Sequence, residues 1–162
     1  MSRGNTVINP IVLELPLGTL AIEEQDGFIA AVTWYSRGAK QPTDAFFSPL
    51  LKSAARQIEE YSQGRRRMFD LPLKPRGTEF QESVWRVITK IPFGKTRSYG
   101  SLAQELGTAA RAVGAAAGKN PLPIFIPCHR VVGKQGALGG FSGGDGVATK
   151  RQLLRLEGHA AF

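Results

Sequence analysis

Ser98-Tyr99-Gly100-Ser101-Leu102-Ala103-Gln104-Glu105-Leu106-Gly107-Thr108-Ala109-Ala110-Arg111-Ala112-Val113-Gly114-Ala115-Ala116-Ala117-Gly118 reads as two short helices joined by a glycine turn. Ser98 is suited to cap the first, which runs through Leu106 and is broken by Gly107. Thr108 is suited to cap the second, Ala109 to about Ala117, which ends near Gly118. The second helix is almost all small residues and projects one long cation, Arg111. Such a helix can approach another surface closely. Two helices in this order resemble a helix-turn-helix. Tight packing of an alanine-rich helix inside the core is the other reading, and the spacing alone does not choose between them.

Upstream, Thr78-x-x-Gln81 has the pattern of a capping box. Phe80, Val84, Val87, Ile88 and Ile91 form one apolar stripe behind it, and Pro92-Phe93-Gly94 ends that helix. Leu71-Pro72-Leu73-Lys74-Pro75-Arg76-Gly77 reads as a linker, because two prolines oppose both helix and ladder. Residues 1–76 then form one unit and residues 77–162 another. The first opens with strand-like runs, Ile11–Leu15, Thr19–Glu24 and Phe28–Trp34, separated by Pro16-Leu17-Gly18 and by Gln25-Asp26-Gly27. Ser48-Pro49 opens a helix whose Leu50, Leu51, Ala54, Ala55 and Ile58 recur at helical spacing, with Gly64 as terminator. Arg65-Arg66-Arg67 behind it is either a solvated helix end or a phosphate contact.

The 162 residues are 42% hydrophobic and 21% charged, a balance that allows a buried core. The net charge is +8, and it is unevenly spread. Residues 1–77 carry ten Lys/Arg against eight Asp/Glu, whereas residues 78–162 carry eleven against five. A basic second half suits a polyanion such as nucleic acid, or simply a soluble surface. One cysteine and two histidines exclude a disulfide framework and a zinc site of several thiolates. No apolar run is long enough to span a membrane, and residues 1–6 lack the apolar core of a secretory signal. A cytoplasmic location, nucleoid-associated if bacterial, is the expectation.

The chemistry lies in Asn120-Pro121-Leu122-Pro123-Ile124-Phe125-Ile126-Pro127-Cys128-His129-Arg130-Val131-Val132. Three prolines bracket an apolar run, which predicts rigid, buried, non-helical backbone. A lone cysteine is usually an inert small hydrophobe. Here the adjacent imidazole and guanidinium argue for a stabilised thiolate, a soft nucleophile for a carbonyl or a saturated carbon. Neighbouring residues diverge on a strand or a helix, so Cys128 and His129 would communicate through a water. His129 would need an orienting acceptor. Glu157, at the end of a helix over roughly 146–157, is either that acceptor or an ordinary exposed glutamate. Gly139-Gly140-Phe141-Ser142-Gly143-Gly144-Asp145-Gly146 lacks any dinucleotide or Walker spacing and is either a loop closing over a pocket or plain surface.

Pro127-Cys128-His129-Arg130-Val131 resembles the active-site signature of the O6-alkylguanine-DNA alkyltransferases, the methylated-DNA–protein-cysteine methyltransferases. Gly77-Thr78-x-Phe80-Gln81-x-x-Val84-Trp85, Ser98-Tyr99, Ala110-Arg111-Ala112-Val113-Gly114, Asn120-Pro121 and Glu157-Gly158-His159 are similar too, in order along residues 77–159. Phe69-Asp70-Leu71-Pro72-Leu73 is a weaker match in the first half. Three features depart from the family pattern: a shorter turn before Arg111, a longer Gly143–Gly146 segment, and Phe141 where tyrosine is frequent.

The resemblance implies an α/β N-terminal domain, ribonuclease-H-like with a small antiparallel sheet plus helix, and a mainly α winged-helix/helix-turn-helix C-terminal domain. It implies repair of O6-alkylguanine, with O4-alkylthymine as a further substrate to be tested, by one irreversible transfer to Cys128. No cofactor or metal is implied. The implied partner is double-stranded DNA, the expected state in solution is a monomer, and clustering on DNA is left open. Carried over, Cys128 is the acceptor, His129 the water-mediated base, Glu157 its orienting group and Asn120 the brace of the turn. Tyr99 would hold the flipped nucleotide and donate to the leaving guanine, while Arg111 would fill the vacated stack. Ser98, Ala112, Ala117 and Lys119 join Tyr99 and Arg111 on the DNA face. Pro123, Val131, Phe141 and Ser142 form the substrate pocket. A DNA-binding module with a structural cysteine and a cysteine hydrolase are the rival readings.

Overall fold

The computed structural model describes residues 9–41, 46–139, 141 and 143–162. Three antiparallel strands come first: β1 (Ile11–Leu15), β2 (Gly18–Gln25) and β3 (Phe28–Tyr35), in that spatial order. They match the expected runs to within a residue at each end. Asp26 and Gly27 both take positive φ, 52° and 80°, which gives the β2–β3 hairpin the twist that two-residue turns favour. Leu13 faces Leu20 and Ile22 faces Val32 across the ladders. As the middle strand, β2 buries Thr19 to Ile22 without interruption.

Helix α1 (Pro49–Ser62) lies against this sheet. Ser48 caps it by accepting from the Leu51 N–H at 3.1 Å, and proline occupies the first turn where no N–H is needed. Leu51, Ala54, Ile58 and Tyr61 form its buried stripe. Gln57 on the same helix clamps the backbone of Asp70 from both sides, at 3.1 and 2.9 Å. The stretch expected to be a bare linker therefore has partners. Ile29 N–H donates to Pro72 O at 2.8 Å and Lys74 N–H to Ile29 O at 3.1 Å, so Leu73 pairs alongside β3. Proline blocks only its own donor, and the neighbouring residues remain free to bond.

The second half is helical: α2 (Glu79–Thr89), α3 (Tyr99–Leu106), α4 (Ala110–Gly118) and α5 (Val147–Leu156). Both arms of the capping box form on α2, Gln81 N–H to Thr78 Oγ1 at 3.1 Å and Thr78 N–H to Gln81 Oε1 at 3.0 Å. Phe80 does not join the apolar stripe. It is 39% exposed, one turn ahead of the face that Val84, Trp85 and Ile88 bury. Trp85 donates its indole N–H to Ala116 O at 2.9 Å and so fixes α2 against α4. Ser98 caps α3 as expected, and Gly107 ends it in the left-handed region at φ 67°.

Thr108 does not cap α4. Its N–H is bonded back to Ala103 O at 2.9 Å, closing the end of α3, and the cap falls on Ala109, which has no side-chain acceptor. A two-residue parallel pair, β4 (Arg97–Ser98) with β5 (Val131–Val132), joins the start of α3 to the segment after the cysteine. One apolar core runs through both halves, from Leu20 and Ile58 to Trp85, Leu122 and Leu153. Val32 N–H bonds Pro121 O at 2.9 Å, so the sheet also holds the loop that carries the cysteine. No helix among the described residues is long and apolar enough to cross a membrane.

Candidate functional site

Residues 119–127 fold back on themselves beneath β3. Asn120 bridges the turn, donating to Ile126 O and accepting from Leu122 N–H, both at 2.9 Å. Ile126 N–H bonds Leu122 O at 2.8 Å. At the apex Ile124 has φ +75°, a conformation that a β-branched residue adopts only at a cost of about 1–3 kcal/mol. The turn delivers Cys128-His129-Arg130 as one turn of 3-10 helix, rather than the non-helical backbone expected.

Cys128 is 8% exposed, and it lines a cavity of about 280 Å³ together with Trp34, Asn120, Pro123, Phe141 and Gly143. Its thiol is not a resting thiolate. Burial raises it above the ordinary value, and Asn120 and Lys150 offset that only in part. The guanidinium expected to assist is engaged elsewhere. Arg130 donates to Glu157 from Nε at 2.7 Å and Nη2 at 3.0 Å, and to Ile91 O from Nη1 at 2.7 Å.

Glu157 caps the C-terminus of α5 and is buried, not exposed. Its Oε2 accepts from His129 Nε2 and from the Tyr61 hydroxyl, both at 2.6 Å. Its Oε1 also takes Gly94 N–H at 3.2 Å. Burial alone would raise this carboxyl, but the hydrogen bonds from His129 and Arg130 hold it well below the ordinary carboxylate range. His129 is fully buried, and desolvation pushes its imidazole below the ordinary value even with Glu157 beside it. Its Nδ1 has no hydrogen-bond partner, so a buried lone pair is left open on the side away from Glu157.

Tyr99 stands at the N-terminus of α3, half-buried. Its hydroxyl donates to Gly139 O at 3.1 Å and accepts from Lys150 Nζ at 3.2 Å. Burial, followed by the nearby Cys128, raises the phenol, so it stays a donor. Lys150 is 1% exposed, bonds Gly139 O at 3.0 Å, and is pushed down to about 8 by burial. Tyr99 and Ser98 share a second cleft, of about 480 Å³, with Arg111 and Gly114 of α4 and Lys134. Arg111 is exposed beside it, and the Tyr99 ring lies alongside Gly114.

Cys128, Asn120, Pro123 and Phe141 are thus brought together, and so are Ser98, Tyr99 and Arg111. Ser98 spends its oxygen on the helix cap, and Lys119 is exposed beyond the end of α4. Ala112 is half-buried. Ala117, expected beside Arg111, is instead buried: Val113, Ala116 and Ala117 form the inner stripe of α4, and Ala117 lines the Cys128 cavity. Val131 is buried and pairs with Arg97. Ser142 lies outside the described residues. Sequence reasoning missed Trp34, Tyr61 and Lys150. A signal existed for Lys150, which shares the stripe of Leu153, Leu154 and Glu157 at helical spacing.

A methylated-DNA–protein-cysteine methyltransferase of Bacillus subtilis is 41% identical over 152 residues, spanning 89% of this chain and 92% of the relative. A profile of the 6-O-methylguanine DNA methyltransferase DNA-binding domain matches residues 79–159. The chain belongs to the methylated-DNA–protein-cysteine methyltransferase family. A Methanosarcina acetivorans member is 39% identical, covering 91% of this chain and 96% of its own. Among solved structures, the O6-methylguanine methyltransferase of Mycobacterium tuberculosis superposes with TM-score 0.78 at 38% identity over 92% of both chains. OGT of that organism in complex with DNA superposes at 0.75, 37% identical over 90% of both. The α/β plan of a small antiparallel sheet plus helices is thus shared with this methyltransferase family.

Proposed function

We propose that the protein repairs double-stranded DNA by direct reversal, moving the alkyl group of O6-alkylguanine onto its own Cys128 in a single turnover. The observation that carries this reading is one sulfur at the wall of a cavity, next to a buried histidine whose free Nδ1 is backed by an ionised Glu157. Residues 1–76 act as the scaffold, with the small sheet and α1 as a reduced ribonuclease-H-like unit. Residues 77–162 bind DNA through the winged α3–α4 helix-turn-helix.

The target oxygen is inaccessible inside a duplex, so the nucleotide must be extruded at a cost of a few kcal/mol. Tyr99 and Ser98 receive it, Arg111 fills the gap, and Lys119 meets phosphate. Pro123 and Phe141 enclose the base, and Asn120 keeps the turn rigid. The Cys128 proton passes through a water to His129 Nδ1, so the thiolate exists only as the reaction starts. Sulfur then bonds the alkyl carbon as the carbon–O6 bond breaks. The electron pair stays on guanine, where the Tyr99 hydroxyl meets the developing charge. Lys150 donates to the Tyr99 oxygen, which leaves the hydroxyl proton free to turn from Gly139 O to the base. The thioether has no return path to thiol.

The test is a count of guanine restored per protein molecule on an O6-methylguanine duplex. One per molecule is expected. None despite binding would mean a module with a structural cysteine, and many would mean a turnover enzyme. Arg111→Ala is expected to slow repair of a paired lesion at least about tenfold more than reaction with free O6-benzylguanine, since only the duplex needs a space-filler. Equal losses on the two substrates would contradict its role.

A further inference from the structure

We propose that Tyr61 of α1 is a positioning residue of the proton relay, its hydroxyl holding the Glu157 carboxylate that orients His129. The inference rests on the alkyl-transfer reading and extends it across the molecule, because Tyr61 belongs to the half that supplies no other relay group.

Tyr61 is 0% exposed, with its ring 5.5 Å from Phe69 and 6.2 Å from Phe93. It ends the apolar stripe of α1, where a phenylalanine would fill the same space. The hydroxyl is what an inert core residue would not need. It donates to Glu157 Oε2 at 2.6 Å, the oxygen that also meets His129 Nε2, and lies 3.5 Å from that nitrogen. With the tyrosine proton on the carboxylate, Nε2 must donate to the same oxygen. His129 is then fixed in the tautomer that leaves the partnerless Nδ1 unprotonated, a free proton acceptor.

Tyr61 also limits how basic the imidazole becomes. Glu157 receives the Tyr61 hydroxyl, His129, Gly94 N–H and two nitrogens of Arg130. Charge spread over these donors draws less on His129 than charge focused there would. The titratable groups facing His129 are Glu157 and Lys150 from the α5 segment, Arg130 and Cys128 from its own turn, and Tyr61 from α1. Without the hydroxyl, Glu157 pulls harder on the imidazole, which becomes imidazolium at higher pH and is lost as a base.

Tyr61→Phe keeps the ring and removes the hydroxyl. The chain has two histidines, so His159 serves as internal reference in an NMR titration of the ring protons. The His129 titration and the acid limb of transfer from free O6-benzylguanine are both expected to move up by roughly half to one pH unit. Fluorotyrosine at position 61, a stronger donor in the same fold, is expected to move His129 the opposite way. Coincident titrations and acid limbs in all three proteins, with only the melting temperature changed, would overturn the proposal and leave Tyr61 a strut. If the unaltered protein transfers no alkyl group, the functional reading fails, while the His129 titration still decides whether Tyr61 acts on the relay.

Discussion

Glu157→Gln is expected to destabilise the fold by about 3–5 kcal/mol, the usual penalty for leaving one partner of a buried ion pair uncompensated. The carboxylate side chain is fully buried, and Arg130, which it neutralises, is 7% exposed. No other acid among the described residues pairs with that guanidinium. An amide could accept from Arg130 but would bring no charge, and its own N–H₂ would face the Tyr61 and His129 donors. Urea unfolding measures the effect, and a loss under about 1 kcal/mol would contradict the account.

The same substitution changes the acid response. Glu157 titrates lower in the folded than in the unfolded chain, so its stabilisation is complete above the unfolded carboxylate value, about 4.3. It is lost as pH falls through the lower folded value. Glu157→Gln removes that group's share of the acid-induced loss, so part of the difference between the two proteins closes in strong acid. Transfer should also collapse at neutral pH, since His129 loses the acceptor that fixes its tautomer.

Tyr99→Phe is expected to slow transfer by about 10- to 1,000-fold, the range for removing one preorganised donor from a developing anion. The ring would remain against α4 and the Lys150 ammonium would remain over it, 5.4 Å from its centre. Stability should change little, because Lys150 keeps its bond to Gly139 O. Single-turnover kinetics on an O6-methylguanine duplex provide the measurement. A rate within about threefold of the unaltered protein would remove Tyr99 from the chemistry and leave it only a contact for the nucleotide.

Much of the fold was legible because it is written locally. The Asp26-Gly27 turn, the Ser48 and Ser98 caps, the Thr78–Gln81 box and the Gly107 stop all act within a few residues. Thr108 failed as a cap because closing α3 takes the chain one residue further, so α4 starts at Ala110 and the capping position falls on Ala109, a boundary shift invisible to a motif. The candidate site was legible in the Cys128 segment and in the pairing of Glu157 with His129, but its electrostatics were not. Arg130 looks like a partner of Cys128 in sequence but is turned to Glu157 in space, and burial raises the thiol above its ordinary value. Tyr61 meets a carboxylate 96 positions away and Lys150 a phenol 51 positions away. Nothing in local spacing encodes such contacts.

The central claim is that one sulfur takes up the alkyl group. Intact-protein mass after incubation with an O6-methylguanine duplex, followed by peptide mapping, tests it most directly. The account predicts a gain of one methyl group, confined to the peptide containing Cys128 and absent from Cys128→Ala, which should still bind the lesion. A methyl group found on another residue, or repair by the alanine variant, would contradict it.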